Sequence, residues 1–371
     1  MGALKLDMAK AYDWMEWPFL RNMLLALGFD GRWVELIMLC VTSVSYSVFV
    51  NGARSEQINP TRGLRQGDPL SPYLFIICAE GLSLFLQQAQ LRGEIHGCRV
   101  ARGAPSISHL FFADDSLLLF KANVQEAEVI KHCLSVYEEM SGQAVNYHKS
   151  SICYSKNTRD DDREEVANIL GVVQAPNFGK YLGLPSFVGR NRKAAFSYIE
   201  DKFRQRMGHG TRSYYRRQRT MNRYWWRSKD DQGIHWKVWD KLCIPKKYGG
   251  LGFKELRAFN LAMLGKQAWR FLTKPESLVS RVYKARYYPK GSFFGAHLGN
   301  NPSFCWRSIM AAQELICGGV RCRIGDGKST LIWDHLWLHD EHNAKIITGK
   351  PPQLAQATVM GLMDQDENMG P

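Results

Sequence analysis

Two adjacent aspartates interrupt an apolar segment at residues 110–121, LFFADDSLLLFK. Asp114 and Asp115 stand between two runs of core-forming residues, where like charges side by side repel each other and resist desolvation. A bound cation would remove both costs, and carboxylate oxygens are the ligands that Mg²⁺ prefers. Taken alone, the pair is more typical of an exposed hairpin turn than of a metal site, so its interpretation depends on the residues around it.

A third carboxylate ends a predicted strand near the start of the chain. ALKLD at residues 3–7 is typical of a buried strand that finishes at Asp7, and residues 108–121 predict a hairpin with its tip at Asp114-Asp115. If these segments share a sheet, the three carboxylates converge within a few ångströms. Such an oxygen-only site suits two Mg²⁺ ions, or Mn²⁺, about 4 Å apart, which would serve an in-line phosphoryl transfer.

Helices and hairpins alternate around these carboxylates. A helix is predicted from Trp17 to Leu27, with Gly28 after it, and Asn51-Gly52 predicts a tight hairpin between VSYSVFV and RSEQIN. Ser71-Pro72 is expected to cap an apolar helix that runs towards Gln90.

The second half of this region repeats the alternation. Asn123 and Glu126 predict a capping box for a helix that ends near Ser141-Gly142, and KSSICYS follows as a strand. The fold class predicted is therefore α+β: an antiparallel sheet with helices on one face, followed by a mainly helical region that includes a helix from Phe253 to Leu272.

Composition limits the cellular setting and the partners. The 371 residues carry 49 Lys+Arg against 35 Asp+Glu, a formal net charge of +14, which favours a polyanionic partner such as nucleic acid. We expect no membrane partner, because no apolar run approaches the roughly 20 residues of a membrane span. Nine scattered cysteines and no leader sequence predict an intracellular protein, in the nucleus or cytoplasm.

Five sequence blocks occur in one order and together carry a family resemblance. They are KLDMAKAYDW at 5–14, GLRQGDPLSPYLF at 63–75, FADDSLLLF at 112–120, SGQAVNYHKS at 141–150 and YLGLP at 181–185. Together they resemble the palm of reverse transcriptases from non-LTR (LINE-type) retrotransposons of plants. The resemblance implies an RNA-directed DNA polymerase that binds an RNA template, a DNA primer and dNTPs.

The resemblance also implies roles for single residues. Asp7, Asp114 and Asp115 match the family's catalytic, metal-binding aspartates. Tyr12 matches the aromatic residue that excludes the ribose 2′-hydroxyl, although a core tyrosine after a strand would look the same. In the remaining blocks, Gln66 and Gly67 match substrate-binding positions along the nascent base pair. Lys149 matches the basic residue that would meet the departing pyrophosphate, although an ordinary solvated lysine would look the same.

The predicted domains are a palm at 1–160, a thumb or connection-like helical region at 161–290 and a turn-rich segment with a disordered tail at 291–371. Compared with the family, the chain is expected to lack the fingers and an endonuclease domain. Residues 203–224 are expected to be internally shortened.

Other functions remain open on the sequence alone. A non-catalytic nucleic-acid-binding remnant would keep the carboxylates, and a basic, aromatic stretch at 212–229 would suit either a binding role or a solvated surface. A ribonuclease H-type protein is disfavoured because no second acidic cluster follows residue 290. The spacing of Cys317, Cys322, His335 and His339 fits a zinc finger, but a hairpin is expected where a finger needs its helix.

Overall fold

The computed structural model describes residues 1–181, 184–185, 197, 239–320, 323–328, 330–333, 337–338 and 346–363. The chain divides into two compact units, Met1–Arg212 and Ser213–Pro371. The basic stretch at 212–229 and three of the four zinc-finger positions lie outside the described residues.

The first unit is built on a five-stranded sheet in the order β5-β6-β1-β8-β9. All pairs are antiparallel except β8 with β9, which are parallel. The short strands β2 with β7, β3 with β4 and β10 with β11 form separate two-stranded pairs. The strands are β1 (Gly2–Leu6), β2 (Met8–Ala9), β3 (Phe49–Val50), β4 (Ala53–Arg54), β5 (His109–Phe112), β6 (Asp115–Phe120), β7 (Ala144–Val145), β8 (Ser151–Tyr154), β9 (Val173–Gln174), β10 (Lys180–Tyr181) and β11 (Leu184–Pro185).

The described helices of the first unit pack against one another and contribute to one core cluster of described residues. The helices are α1 (Trp17–Ala26), α2 (Gly31–Thr42), α3 (Ser71–Leu91), α4 (Val124–Ser141) and α5 (Asp160–Leu170). Alternate residues of the central strands, such as Leu4 in β1 and Leu118 in β6, are buried in that core, while their neighbours are only half-buried. This period of two confirms the predicted α+β class with a mainly antiparallel sheet.

The helix α3 is long and apolar enough to cross a membrane by length and composition alone. Buried core helices pass the same test, and the buried residues of α3, including Leu74, Phe75 and Leu86, belong to the core of the first unit. The finding therefore assigns no membrane contact.

Several local predictions are confirmed. Asn51 and Gly52 both adopt positive φ, as a two-residue hairpin turn requires, and they join β3 to β4. Asn123 accepts a hydrogen bond from the Glu126 N–H at the start of α4, and Gly142 ends that helix in the left-handed conformation.

Other local predictions are wrong in detail. Phe112 pairs with Asp115, so the hairpin turn consists of Ala113 and Asp114, and Asp115 is already a strand residue. No side chain caps the first turn of α3, and Ser71 is its first helical residue. The Glu126 carboxylate does not complete a capping box, because it accepts from the backbone N–H of Lys121 instead.

The second unit contains five described helices: α6 (Trp239–Cys243), α7 (Leu256–Thr273), α8 (Leu278–Tyr287), α9 (Phe304–Met310) and α10 (Gln313–Gly319). The helix predicted from Phe253 begins at Leu256, because the Glu255 carboxylate caps its first turn. Aromatic rings form a core around the fully buried Trp306, on which Tyr287 stacks with ring centroids 4.7 Å apart.

Candidate active site

The predicted catalytic residue Asp7 lies immediately after β1. Its N–H donates to the Ser150 hydroxyl at 3.1 Å, and its carbonyl accepts from the Asn146 N–H at 2.7 Å. The Ser150 hydroxyl in turn donates to the Asn146 carbonyl at 2.8 Å. The loop after β7, which also carries Lys149, therefore fixes the backbone of Asp7.

The predicted catalytic residue Asp115 begins the neighbouring strand β6. Leu6 pairs with Ser116 as the last residue pair of the antiparallel β1–β6 ladder, and Asp7 and Asp115 are the next residues beyond that pair. Both residues are half-buried. Two of the three predicted carboxylates thus flank the same end of the β1–β6 ladder.

Asp114 lies in the exposed hairpin turn, and its negative charge affects the ionisation of Tyr12. Burial, and secondarily the negative charge of Asp114, raise the pKa of the Tyr12 hydroxyl. The Tyr12 ring stacks on Phe75 of α3, with centroids 5.0 Å apart and planes at 17°. Tyr12 therefore lies near the aspartate turn and is held by an aromatic neighbour.

A buried glutamine, which sequence reasoning missed, holds the segment that carries Tyr12. Gln143 is 1% exposed, and its side-chain amide donates to the Ala11 carbonyl at 2.7 Å. Its amide oxygen accepts from the Tyr137 hydroxyl at 2.6 Å, and burial raises the pKa of that hydroxyl. On the opposite side, the Leu64 N–H donates to the Tyr12 carbonyl at 2.7 Å. Tyr12 is therefore fixed through backbone atoms on both sides.

The predicted substrate-binding positions in the second block lie beside this segment. Gln66 is exposed and its amide donates to the Asp13 carboxylate at 3.3 Å. Gly67 is exposed, with φ +85° and open space where a Cβ would stand. A cavity of about 500 Å³ is lined by Asp13, Tyr46, Arg62, Arg65, Gln66 and Leu74, among others.

The predicted pyrophosphate contact, Lys149, lies in the loop that fixes Asp7. Its side chain is exposed, and its N–H donates to the Asn146 carbonyl at 3.1 Å. Its role therefore stays a prediction that depends on a bound substrate.

The carboxylates do not form a ready-made metal site. Among the residues that the structure describes, no three His, Cys, Asp or Glu side chains are gathered as a metal ion would need. Instead, the Lys5 ammonium lies 3.6 Å from an Asp115 carboxylate oxygen. The expected convergence of all three carboxylates is thus absent here, although the donors are all of the kind that Mg²⁺ binds. Asp7, Asp114 and Asp115 stay predicted ligands.

The family comparison matches the part of the chain that carries these candidate site residues. A family model described as reverse transcriptase (RNA-dependent DNA polymerase) matches residues 2–185. An uncharacterized mitochondrial protein of Arabidopsis thaliana is 42% identical over 123 residues, which cover 33% of this chain and 80% of that protein. A second uncharacterized mitochondrial protein of the same plant is 54% identical over 72 residues, covering 19% of this chain and 59% of that protein.

More distant matches extend the comparison. A retrovirus-related Pol polyprotein from a type-1 retrotransposable element of Popillia japonica is 33% identical over 119 residues, 32% of this chain and 18% of the polyprotein. The chain thus spans less than a fifth of that relative. A telomerase structure from Candida albicans aligns at 16% identity over 55% of this chain and 34% of its own, with a TM-score of 0.35, which supports no inference.

Proposed function

Because the chain belongs to the reverse transcriptase family of non-LTR retrotransposons, an RNA-directed DNA polymerase family, we propose that it carries the catalytic palm of such an enzyme. Its reaction would join a dNTP to the 3′-hydroxyl of a DNA primer paired with an RNA template. The thumb-like and C-terminal regions would lie at 161–290 and 291–371.

The observation that carries this proposal is the strand pairing of β1 with β6. That pairing ends where Asp7 follows β1 and Asp115 begins β6, beside the turn that carries Asp114, whose charge helps to raise the pKa of Tyr12. Carboxylates at one end of a sheet suit the two metal ions of a nucleotidyl transfer centre.

Each residue would contribute a distinct part. Asp7, Asp114 and Asp115 would hold two Mg²⁺ ions, which supply a lowered pKa for the primer hydroxyl and stabilisation of charge on the phosphate oxygens. Tyr12, stacked on Phe75, would crowd the sugar 2′-carbon. Gln66 and Gly67 would lie along the nascent pair, and Lys149 would neutralise the pyrophosphate as it departs.

The test is primer extension on an RNA template with Mg²⁺. Wild-type chain is compared with Asp115→Asn, which removes a predicted ligand charge and should lower the rate about a hundredfold or more. Tyr12→Val should keep dNTP incorporation while the preference for dNTPs over rNTPs falls about tenfold or more. An unchanged preference would remove Tyr12 from sugar selection.

The alternative is a nucleic-acid-binding remnant without catalysis. It is favoured by the finding that no three-carboxylate group is assembled among the described residues. Binding of the primer–template with no extension by wild type, at any Mg²⁺ or Mn²⁺ concentration, would establish this alternative and overturn the polymerase proposal.

A further inference from the structure

The ion pair between Lys5 and Asp115 places a cation at a predicted metal ligand. The Lys5 ammonium nitrogen lies 3.6 Å from the Asp115 carboxylate, and the two side chains are 31% and 33% exposed. This distance exceeds a hydrogen bond, so the contact is a loose ion pair that can exchange.

The strand register explains why these two side chains meet. Lys5 pairs with Leu117, and Asp115 stands two residues before Leu117, so Lys5 and Asp115 are diagonal neighbours across β1 and β6. Residues two apart on a strand share a face. If β1 continued by one residue, Asp7 would therefore lie on the same face as Lys5. A long lysine side chain can therefore reach the position where a metal ion would meet Asp115.

We propose that Lys5 is an internal counter-ion of the metal site, which pairs with Asp115 in the metal-free chain and is displaced when a divalent cation binds. This inference rests on the proposed function, since it takes Asp115 as a metal ligand.

The arrangement has two physical consequences. Without metal, the ammonium offsets part of the repulsion between neighbouring carboxylates and so stabilises the strand end. With metal, the same ammonium repels the incoming cation and competes for Asp115, so it weakens metal binding. Lys5 would therefore raise the metal concentration at which the site fills.

The experiment measures Mn²⁺ binding to the full chain by electron paramagnetic resonance of the free ion. Lys5→Met keeps the length of the side chain and removes the charge, and it should lower the dissociation constant about threefold to fivefold. High KCl should shrink the difference, because salt screens partly exposed charges. Lys5→Arg keeps the charge and should bind like wild type.

A matched control removes a lysine elsewhere. Lys156 is exposed beyond the end of β8, next to Ser155, which bonds Met1 at the opposite end of β1 from Asp7. Lys156→Met changes the net charge equally and should leave Mn²⁺ affinity unchanged. The rise in melting temperature with Mn²⁺ should likewise be larger in Lys5→Met than in wild type.

The outcomes separate this inference from the proposed function. Equal or weaker Mn²⁺ affinity in Lys5→Met, or the same gain in Lys156→Met, would overturn the counter-ion role of Lys5. Asp115→Asn should bind Mn²⁺ more weakly than wild type. If Asp115→Asn binds as wild type does, Asp115 is no ligand, and the proposed metal site fails together with the inference.

Discussion

At the scale of single residues, burial affects the protonation state of His109. His109 lies between two buried serines: its Nε2 is 3.0 Å from the Ser83 hydroxyl and its Nδ1 is 3.0 Å from the Ser108 hydroxyl. Burial lowers the pKa of His109 from its ordinary value of about 6.5. The folded chain therefore keeps this imidazole neutral in a pH range where the unfolded chain protonates it.

This difference predicts a pH dependence of stability. Below about pH 6.5 the unfolded state binds a proton at His109 that the folded state does not, so the free energy of unfolding should decrease as pH falls from 7 towards 5. The decrease ends below the lowered pKa of the folded state. Urea unfolding followed by circular dichroism at several pH values measures it. His109→Gln should flatten the slope, and an unchanged slope would show that His109 does not cause it.

At the scale of elements, Gly63 and Gly67 in the sequence block at 63–75 differ in how closely other atoms approach them. Gly63 has φ +91°, and a Cβ built there would lie 2.6 Å from the Asp13 carbonyl oxygen. Its N–H donates to the Met15 carbonyl at 2.8 Å, and its carbonyl accepts from the Trp17 indole at 2.8 Å. Gly63 thus joins the loop before α3 to the segment that carries Tyr12, whereas Gly67 meets no such neighbour.

A comparison of Gly63→Ala with Gly67→Ala isolates the effect of the close approach between Gly63 and the Asp13 backbone. Both substitutions put alanine in a left-handed conformation, which costs about 1 kcal/mol. Gly63→Ala also forces a methyl group against the backbone of Asp13 and should reduce the free energy of unfolding by a further ~1–3 kcal/mol. Urea unfolding of both variants measures the difference. Equal losses would show that the loop moves away from Asp13 without penalty.

At the scale of the whole molecule, positive charge is concentrated in the second unit. Residues 239–320 contain thirteen Lys and Arg against four Asp and Glu. Lys266 and Arg270 on α7, and Lys274 directly after its last residue, follow one another at intervals of four. All three are exposed, opposite the buried Gly265, Ala268 and Phe271. Like charges at this spacing destabilise a helix unless an anion meets them.

A basic face of this kind predicts salt-sensitive binding of nucleic acid. Changing Lys266, Arg270 and Lys274 together to glutamine should weaken binding of an RNA–DNA duplex and lower the slope of log affinity against log salt by about 2–3. Fluorescence anisotropy at several KCl concentrations measures both quantities.

The control for this prediction carries the same net charge. It changes three exposed basic residues of the first unit, Arg99, Arg102 and Lys156, to glutamine. An equal loss in the control would mean that binding follows total charge rather than the face of α7.

Local sequence by itself determined the elements and the candidate residues. The apolar alternation of β1, the Asn51-Gly52 turn and the caps at Asn123 and Gly142 depend on residues within a few positions of one another, and the structure confirms them. The order of the five blocks likewise identified the family that the comparisons support.

Only the tertiary structure decided which side chains meet. The Lys5 pair with Asp115, the Gln143 bond to the Ala11 carbonyl and the Glu126 bond to the His96 N–H join residues 110, 132 and 30 positions apart. Such contacts depend on strand register and helix packing, which a local pattern does not encode. A shift of the β1–β6 register by one residue would keep every local pattern and separate Lys5 from Asp115, since it would turn one strand's side chains to the other face.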